Sequence, residues 1–142
     1  MIVLDANLLL YGYDTRAAKH KAARIFVENI LSGSDAVGLP WQSIAAFLRV
    51  ATNPILPGRI SMEHAVEIVT AWIEQPNVTL LGPGEKHWTT LRQMLDEGQV
   101  NGPMVTNAQL AALTIEHGGI LHTTDRDFAR FPGLRWKNPL AG

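Results

Sequence analysis

Apolar residues in this chain fall either in short continuous runs or in longer stretches with helical spacing. Four runs of three or four residues predict buried strands, and a short edge strand is expected near the end, at 2–4, 36–39, 78–81, 120–122 and 134–136. The longer stretches predict helices at 17–31, 41–52, 62–75, 85–97 and 107–117. Because strands that alternate with helices are typical of a parallel sheet covered on both faces, we expect an α/β fold with four to five strands.

Local signals predict where three of the helices begin. Ser61 should cap the helix at 62–75, and Asp14 or Thr15 should cap the helix at 17–31. Thr106 begins a T-x-x-Q capping box, so we expect it to cap the last helix.

The same periodicity predicts which helix faces are buried. Trp72 and Trp88 both lie on apolar faces, so both are expected in the core. The helix at 17–31 should bury the residues that recur at helical spacing along it: Ala18, Ala22, Ile25, Phe26 and Ile30.

Composition narrows the function classes without naming one. The 142 residues suffice for one domain, here 1–142, with its own core. The absence of cysteine excludes disulfides, thiolate nucleophiles and cysteine-bound zinc, and is compatible with a cytoplasmic location. No apolar run approaches the ~18 residues of a membrane span, so no membrane partner is expected.

Acidic residues follow the first and fourth predicted strands. Asp5 comes directly after the first strand, and Asp125 and Asp127 lie on the loop after the fourth. Ligands of doubly wound folds bind outside the carboxyl ends of the strands, and Asn107 should begin a helix that points to the same edge. Carboxylate clusters of this kind suit Mg²⁺ or Mn²⁺ beside phosphate oxygens. The pattern therefore predicts a metal-dependent nuclease with Asp5, Asp125 and Asp127 as its carboxylates.

Each aspartate also has a purely structural explanation. Asp5 could cap the turn that follows it, and Asp127 could cap a segment at 128–131. The position of both aspartate groups after apolar strands at the functional edge favours the metal site. Asn7 and Thr123 lie in the same neighbourhood, either as partners that orient the metal ligands or as ordinary turn residues.

Basic residues are concentrated in two segments although the net charge is only −1. Such segments beside an acidic pocket could hold the RNA backbone, although charge alone favours an ordinary solvated surface. The candidate RNA-binding residues are Arg16, Lys19, Lys21, Arg24, Arg126 and Arg130.

Other hydrolytic chemistries lack their patterns here. No pair of histidines has the H-E-x-x-H spacing of a zinc site, and no serine stands in a G-x-S-x-G setting. Glu116 lies about half a helical turn away from the Asn107 face, so we do not assign it to the site.

The chain resembles the PIN domains of VapC toxins from VapBC toxin–antitoxin pairs, in particular a subgroup abundant in mycobacteria. Three stretches carry the resemblance: MIVLDANLLLY, LPWQSIAAFLRVATNP and AALTIEHGGILHTTDRDFARFPGLRW. The resemblance implies a PIN-like three-layer α/β/α sandwich, RNA cleavage that depends on Mg²⁺ or Mn²⁺, a VapB-type antitoxin partner and a homodimer. It also implies that Asp5, Asp125 and Asp127 are metal-site carboxylates.

The chain departs from the family pattern at two positions. Many PIN domains have a glutamate after the second strand, where this chain has Ala46. Where the family has D-A-x-L-A-A-L, this chain has Asn107 in place of the first aspartate of that motif. An asparagine keeps an oxygen for a metal but loses the charge, which predicts a weak or inactive nuclease.

Two alternatives to an active nuclease follow. The chain could be a catalytically degenerate PIN module that only binds RNA or an antitoxin. A small-molecule phosphohydrolase is disfavoured, because Asp5 is followed by Ala6 and Asn7 rather than by a D-x-D pair.

Overall fold

The computed structural model describes residues 1–141 and, within them, a five-stranded parallel sheet in the order β3-β2-β1-β4-β5. The first strand lies at the centre, where Ile2 pairs with Val37 on one side and with Ile120 on the other. All four strand pairs are parallel. The strands are β1 (Ile2–Leu4), β2 (Val37–Pro40), β3 (Val78–Leu81), β4 (Ile120–His122) and β5 (Trp136–Lys137).

Helices cover both faces of this sheet and complete a three-layer α/β/α sandwich, as predicted. Val3 and Leu4 are both fully buried and belong to two separate apolar clusters, because successive strand side chains point to opposite faces. One cluster includes α1, α2, α3 and α4, and the other includes α5 and α6. The helices are α1 (Ala6–Tyr13), α2 (His20–Leu31), α3 (Trp41–Ala51), α4 (Met62–Ile73), α5 (His87–Glu97) and α6 (Val105–Glu116).

The predicted cap at Ser61 is confirmed, since its side chain accepts a 3.1 Å hydrogen bond from the backbone N–H of His64. The other two capping predictions are wrong. Asp14 ends α1 and binds Arg16, and α2 begins only at His20. Thr106 does not cap α6, because a 3₁₀ turn at Gly102–Met104 leads directly into the helix, which then begins at Val105 without a side-chain cap.

The predicted buried face of α2 is also wrong in part. Ala23, Val27 and Leu31 are buried, whereas Ile25 is 50% exposed. The true face is displaced by one residue, about 100° around the helix. Periodicity alone did not distinguish the two faces because both carry apolar residues.

Trp72 and Trp88 differ sharply in burial although both were predicted in the core. Trp72 is 5% exposed and packs edge-to-face on Phe47, with ring centroids 4.7 Å apart. Trp88 lies on the first turn of α5 and is 63% exposed, so its predicted burial is wrong. The face of α5 that reaches the core instead presents Leu91 and Met94.

These two tryptophans provide a matched test of the core. We expect Trp72→Ala to lower the free energy of unfolding by about 3–5 kcal/mol, because it leaves a cavity against Phe47 and Tyr13. Trp88→Ala should change it by less than about 0.5 kcal/mol. Urea unfolding of both variants measures the difference, and equal losses would contradict the assignment of the core.

Candidate active site

The ends of β1 and β4 lie side by side and bring Asp5 and Asp125 to the same edge of the sheet. The backbone N–H of Asp5 donates to the carbonyl of His122 at 3.1 Å, which extends the pairing of the two strands by one residue. Asp5 then precedes α1 in extended backbone and makes no capping hydrogen bond with its side chain. Asp5 thus occupies the N-cap position of α1, beside the backbone N–H groups of Ala6 and Asn7, but its side chain forms no capping hydrogen bond of ordinary geometry.

The fully buried Thr123 connects the site residues through its hydroxyl. Its Oγ1 accepts from Asn7 Nδ2 at 3.2 Å and from the backbone N–H of Asp125 at 3.0 Å. Both partners are obligate donors, so the single hydroxyl proton points to Asp5 Oδ2, 2.7 Å away. One hydroxyl thus sets the orientation of Asp5 and the start of the loop that carries Asp125.

Asp125 is held at the start of a short 3₁₀ helix, Arg126–Arg130. Its Oδ1 accepts from the backbone N–H of Asp127 at 2.9 Å, so Asp125 caps this turn. The alternative in which Asp127 caps the segment is wrong. The Asp127 side chain is exposed, and only its backbone N–H contacts Asp125 among the described hydrogen bonds of residues 1–141.

Asn107 lies on the first turn of α6 and faces Asp125. Its Nδ2 donates to Asp125 Oδ2 at 3.4 Å and approaches Met104 Sδ at 3.6 Å. The amide nitrogen, rather than the amide oxygen, is therefore directed at the carboxylate. An amide in this orientation partly offsets the charge of Asp125.

Burial raises the pKa of the Asp5 carboxyl above its ordinary value of 3.8. The hydrogen bond from Thr123 opposes this effect, and the nearby charge of Asp125 adds to it. None of the ion pairs found within residues 1–141 involves Asp5, Asp125 or Asp127. The site therefore carries negative charge that no basic side chain compensates, which is the condition that a bound cation would relieve.

The donor set is sparse for a metal centre. Across residues 1–141, no three His, Asp or Glu side chains converge closely enough to enclose an ion. The carboxylates of Asp5 and Asp125 converge, and Asn107 adds an amide without charge. Carboxylate and amide oxygens are ligands that Mg²⁺ and Mn²⁺ accept, so the residues fit a divalent cation that keeps several of its waters.

The first turn of α3 supports this edge and was not predicted from the sequence. The buried Ser43 hydroxyl donates to the carbonyl of Leu4 at 2.7 Å, and Gln42 Nε2 donates to the carbonyl of Thr106 at 3.3 Å. Ala46 follows one turn after Gln42 and is half-buried. Side-chain bonds to backbone carbonyls leave no periodic trace, so the pattern of residues did not reveal them.

The six candidate RNA-binding residues are all exposed. Arg16 is paired with Asp14 at 3.1 Å, and Arg24 is paired with Glu28 at 2.9 Å. None of the hydrogen bonds described for residues 1–141 joins any of the six side chains to the site carboxylates. Arg126 and Arg130 lie closest in sequence, on the 3₁₀ turn that Asp125 caps.

Two further features lie outside the site. Glu116 pairs with His87 and accepts from the backbone N–H of Gly84 at 3.1 Å, consistent with its exclusion from the site. A cavity of about 430 Å³ lies between α1, α2 and α4, and none of the site carboxylates lines it. Among residues 1–141 there is no helix with the length and apolarity needed to cross a membrane.

Comparison with known proteins places this chain in a family. The family model described as PIN domain matches residues 2–134. The chain belongs to the PIN-domain family. Ribonuclease VapC37 of Mycobacterium tuberculosis is 37% identical over 142 residues, and Ribonuclease VapC33 of the same organism is 36% identical over 141 residues, each alignment covering 99% of both chains. The resemblance to VapC proteins is thereby confirmed.

The fold comparison agrees with this assignment. The structure of VapBC2 from Rickettsia felis, bound to a DNA fragment from its promoter, includes a chain that superposes with a TM-score of 0.71. The match covers 97% of this PIN domain chain and 98% of the other at 14% identity, so it supports the fold.

The raised pKa of Asp5 predicts how the metal-free protein responds to pH. The folded state holds the Asp5 proton more tightly than the unfolded chain does, so this group favours folding below pH 3.8 and loses that contribution as pH rises through the folded pKa. Asp5→Asn removes the charge and retains an oxygen for Thr123. We expect it to raise the Tm of the metal-free protein near neutral pH, with a gain that shrinks as pH falls toward 4.

Thermal unfolding in a chelating buffer at several pH values measures this effect, with Asp35→Asn as an exposed control. A lower Tm for Asp5→Asn than for the unmodified protein at neutral pH would contradict the assigned electrostatics.

Proposed function

We propose that this PIN domain is the toxin of a type II toxin–antitoxin pair and a cytoplasmic, divalent-metal-dependent endoribonuclease. The observation that carries the proposal is the convergence of Asp5 and Asp125 at the sheet edge with no basic partner. The names of its VapC relatives support ribonuclease activity.

Asp5 and Asp125 would hold Mg²⁺ or Mn²⁺, with Asn107 as a weak third ligand and Asp127 at the rim. The bound ion supplies an activated water and offsets the charge that develops on the phosphate. Asn107 presents its nitrogen to Asp125, so it must rotate its amide before its oxygen faces a cation.

The protein's own groups position the reacting atoms. Thr123 orients Asp5 through its hydroxyl proton, and Asn7 keeps that hydroxyl in place by donating to it. The backbone N–H of Asp127 holds one Asp125 oxygen, which leaves the other directed at Asn107. Asp127 itself is exposed, so it would accept hydrogen bonds from water at the mouth of the site.

Exposed basic residues would bind the RNA backbone outside this site. Arg126 and Arg130 lie on the turn that Asp125 caps, and Lys19 and Lys21 lie before and within α2. Arg16 and Arg24 belong to the same group, although their acidic neighbours Asp14 and Glu28 reduce their net charge.

The strongest alternative is a binding module without catalysis. Its support is the Asn107 amide, which stabilises the Asp125 carboxylate by a hydrogen bond where the family pattern would place a third carboxylate. In this alternative the PIN domain still binds RNA or an antitoxin, and calorimetry with Mn²⁺ shows no binding.

Asn107→Asp tests whether the site is weakened at this position. The added carboxylate replaces a donor that faces Asp125 with a metal ligand, so we expect at least about tenfold tighter Mn²⁺ binding and higher RNase activity. Asp5→Asn should lose both. Titration calorimetry and cleavage of a labelled RNA measure the two effects.

Asn29→Asp is the matched control, because it adds the same charge at an exposed position on α2. Equal activity of the unmodified protein, Asn107→Asp and Asp5→Asn would reject the proposed nuclease.

We further propose that a VapB-type antitoxin binds in the cavity between α1, α2 and α4. Its walls include the apolar side chains of Val27, Leu31 and Trp72, and the 44% exposed Tyr13 stands at its edge. A partner segment would cover this surface. The site carboxylates do not line the cavity, so a second contact would be needed to cover them. A homodimer is proposed as the assembled form, as the VapC resemblance implies.

Ala71→Arg tests the antitoxin site without disturbing the core. Ala71 is exposed and lines the cavity, so an arginine there should obstruct a docked segment while leaving folding unchanged. We expect binding to the antitoxin to weaken at least about tenfold, which corresponds to about 1.4 kcal/mol. Isothermal titration measures it, and unchanged affinity would show that the antitoxin binds elsewhere.

A further inference from the structure

The first turn of α3 is anchored to both chain segments that carry the candidate active site. Ser43 donates to the carbonyl of Leu4, the residue before Asp5. Gln42 donates to the carbonyl of Thr106, the residue before Asn107. Because these bonds join three separate parts of the chain, the first turn of α3 is held at the same carboxyl edge of the sheet as Asp5 and Asn107.

That side chain is Trp41, and it is 54% exposed. The edge of its indole lies against Gly82, where a Cβ atom would be 3.7 Å from Trp41 Cδ1. The aromatic pairs described for residues 1–141 do not include it, whereas Trp72 takes part in two. A large aromatic surface is therefore exposed at the carboxyl edge of the sheet, on the β3 side of the carboxylates, without being used by the core.

We propose that Trp41 is a stacking platform for an unpaired RNA base at the carboxyl edge of the sheet, on the β3 side of the phosphate that the carboxylates would bind. The inference rests on the proposed RNA substrate and specifies its form. Bases in a duplex are stacked and paired, whereas bases in single strands and loops can be turned onto an aromatic side chain. Trp41 would therefore favour a single-stranded or looped substrate and tolerate many sequences, since every base has a π face.

The location of Trp41 separates it from the other strongly exposed tryptophan. Trp88 is 63% exposed on the first turn of α5, and that turn contacts α6 through the His87–Glu116 pair, at the end of α6 opposite to Asn107. Trp88 offers the same side chain with similar exposure away from the site. It is therefore the matched control for Trp41.

The experiment compares the unmodified protein with Trp41→Ala, Trp41→Phe and Trp88→Ala in a chelating buffer, where no metal-dependent cleavage takes place. Fluorescence anisotropy measures the affinity for a labelled single-stranded oligoribonucleotide and for a duplex of the same sequence. We expect Trp41→Ala to weaken single-strand binding by about 5- to 100-fold and duplex binding little. Trp41→Phe should retain most of the affinity, and Trp88→Ala all of it.

Three results would overturn the inference. The unmodified protein could fail to bind the single strand, Trp41→Ala and Trp88→Ala could bind it equally well, or Trp41→Phe could lose as much affinity as Trp41→Ala. Sedimentation of the same samples provides a separate test. If Trp41→Ala dissociates an oligomer while each chain keeps its RNA affinity, Trp41 is a protein contact instead.

The outcome is independent of the nuclease test. If no variant cleaves RNA but single-strand binding depends on Trp41, the stacking platform stands and catalysis fails. If the protein cleaves RNA and Trp41→Ala binds normally, only the stacking platform fails.

Discussion

The hydroxyl of Thr123 is the interaction on which the candidate site depends. A hydroxyl has one proton to donate and two lone pairs to accept with, and here all three are used, by Asp5, Asn7 and the backbone of Asp125. Two strand ends and the start of α1 are thereby tied together. The arrangement keeps a buried carboxylate ionisable at an edge where burial alone would favour its protonated form.

Asn107 affects both the stability of this edge of the sheet and its attraction for a cation. Two carboxylates already repel each other there, and an amide donor beside Asp125 reduces that repulsion while a third carboxylate would increase it. The amide therefore stabilises this edge, and the same feature lowers its attraction for a cation. Stability of the fold and attraction for a cation are opposed at a single side chain.

The sequence predicted much of this arrangement, and its errors have identifiable causes. Asp5 and Asp125 could be placed at one edge because each follows a buried strand, and the carboxyl ends of parallel strands lie at the same edge of the sheet. Trp88 and the face of α2 were misassigned because helical spacing does not say which of two apolar stripes meets the sheet. Thr106 matched a capping box, but a 3₁₀ turn before it supplied the start of the helix instead. The contacts of Ser43 and Gln42, and the direction of the Asn107 amide, depend on tertiary packing and could not be predicted.

The central position of β1 has a consequence for synthesis of the chain. Thr123 and Asp5 are 118 positions apart in sequence, and β1 pairs directly with β4. Asp5 is therefore translated well before Thr123 and Asp125, and loop closure over such a distance delays folding. An incomplete chain that stops before β4 lacks Thr123 and Asp125 altogether. The edge that carries Asp5 and Asp125 can therefore assemble only after β4 has been translated.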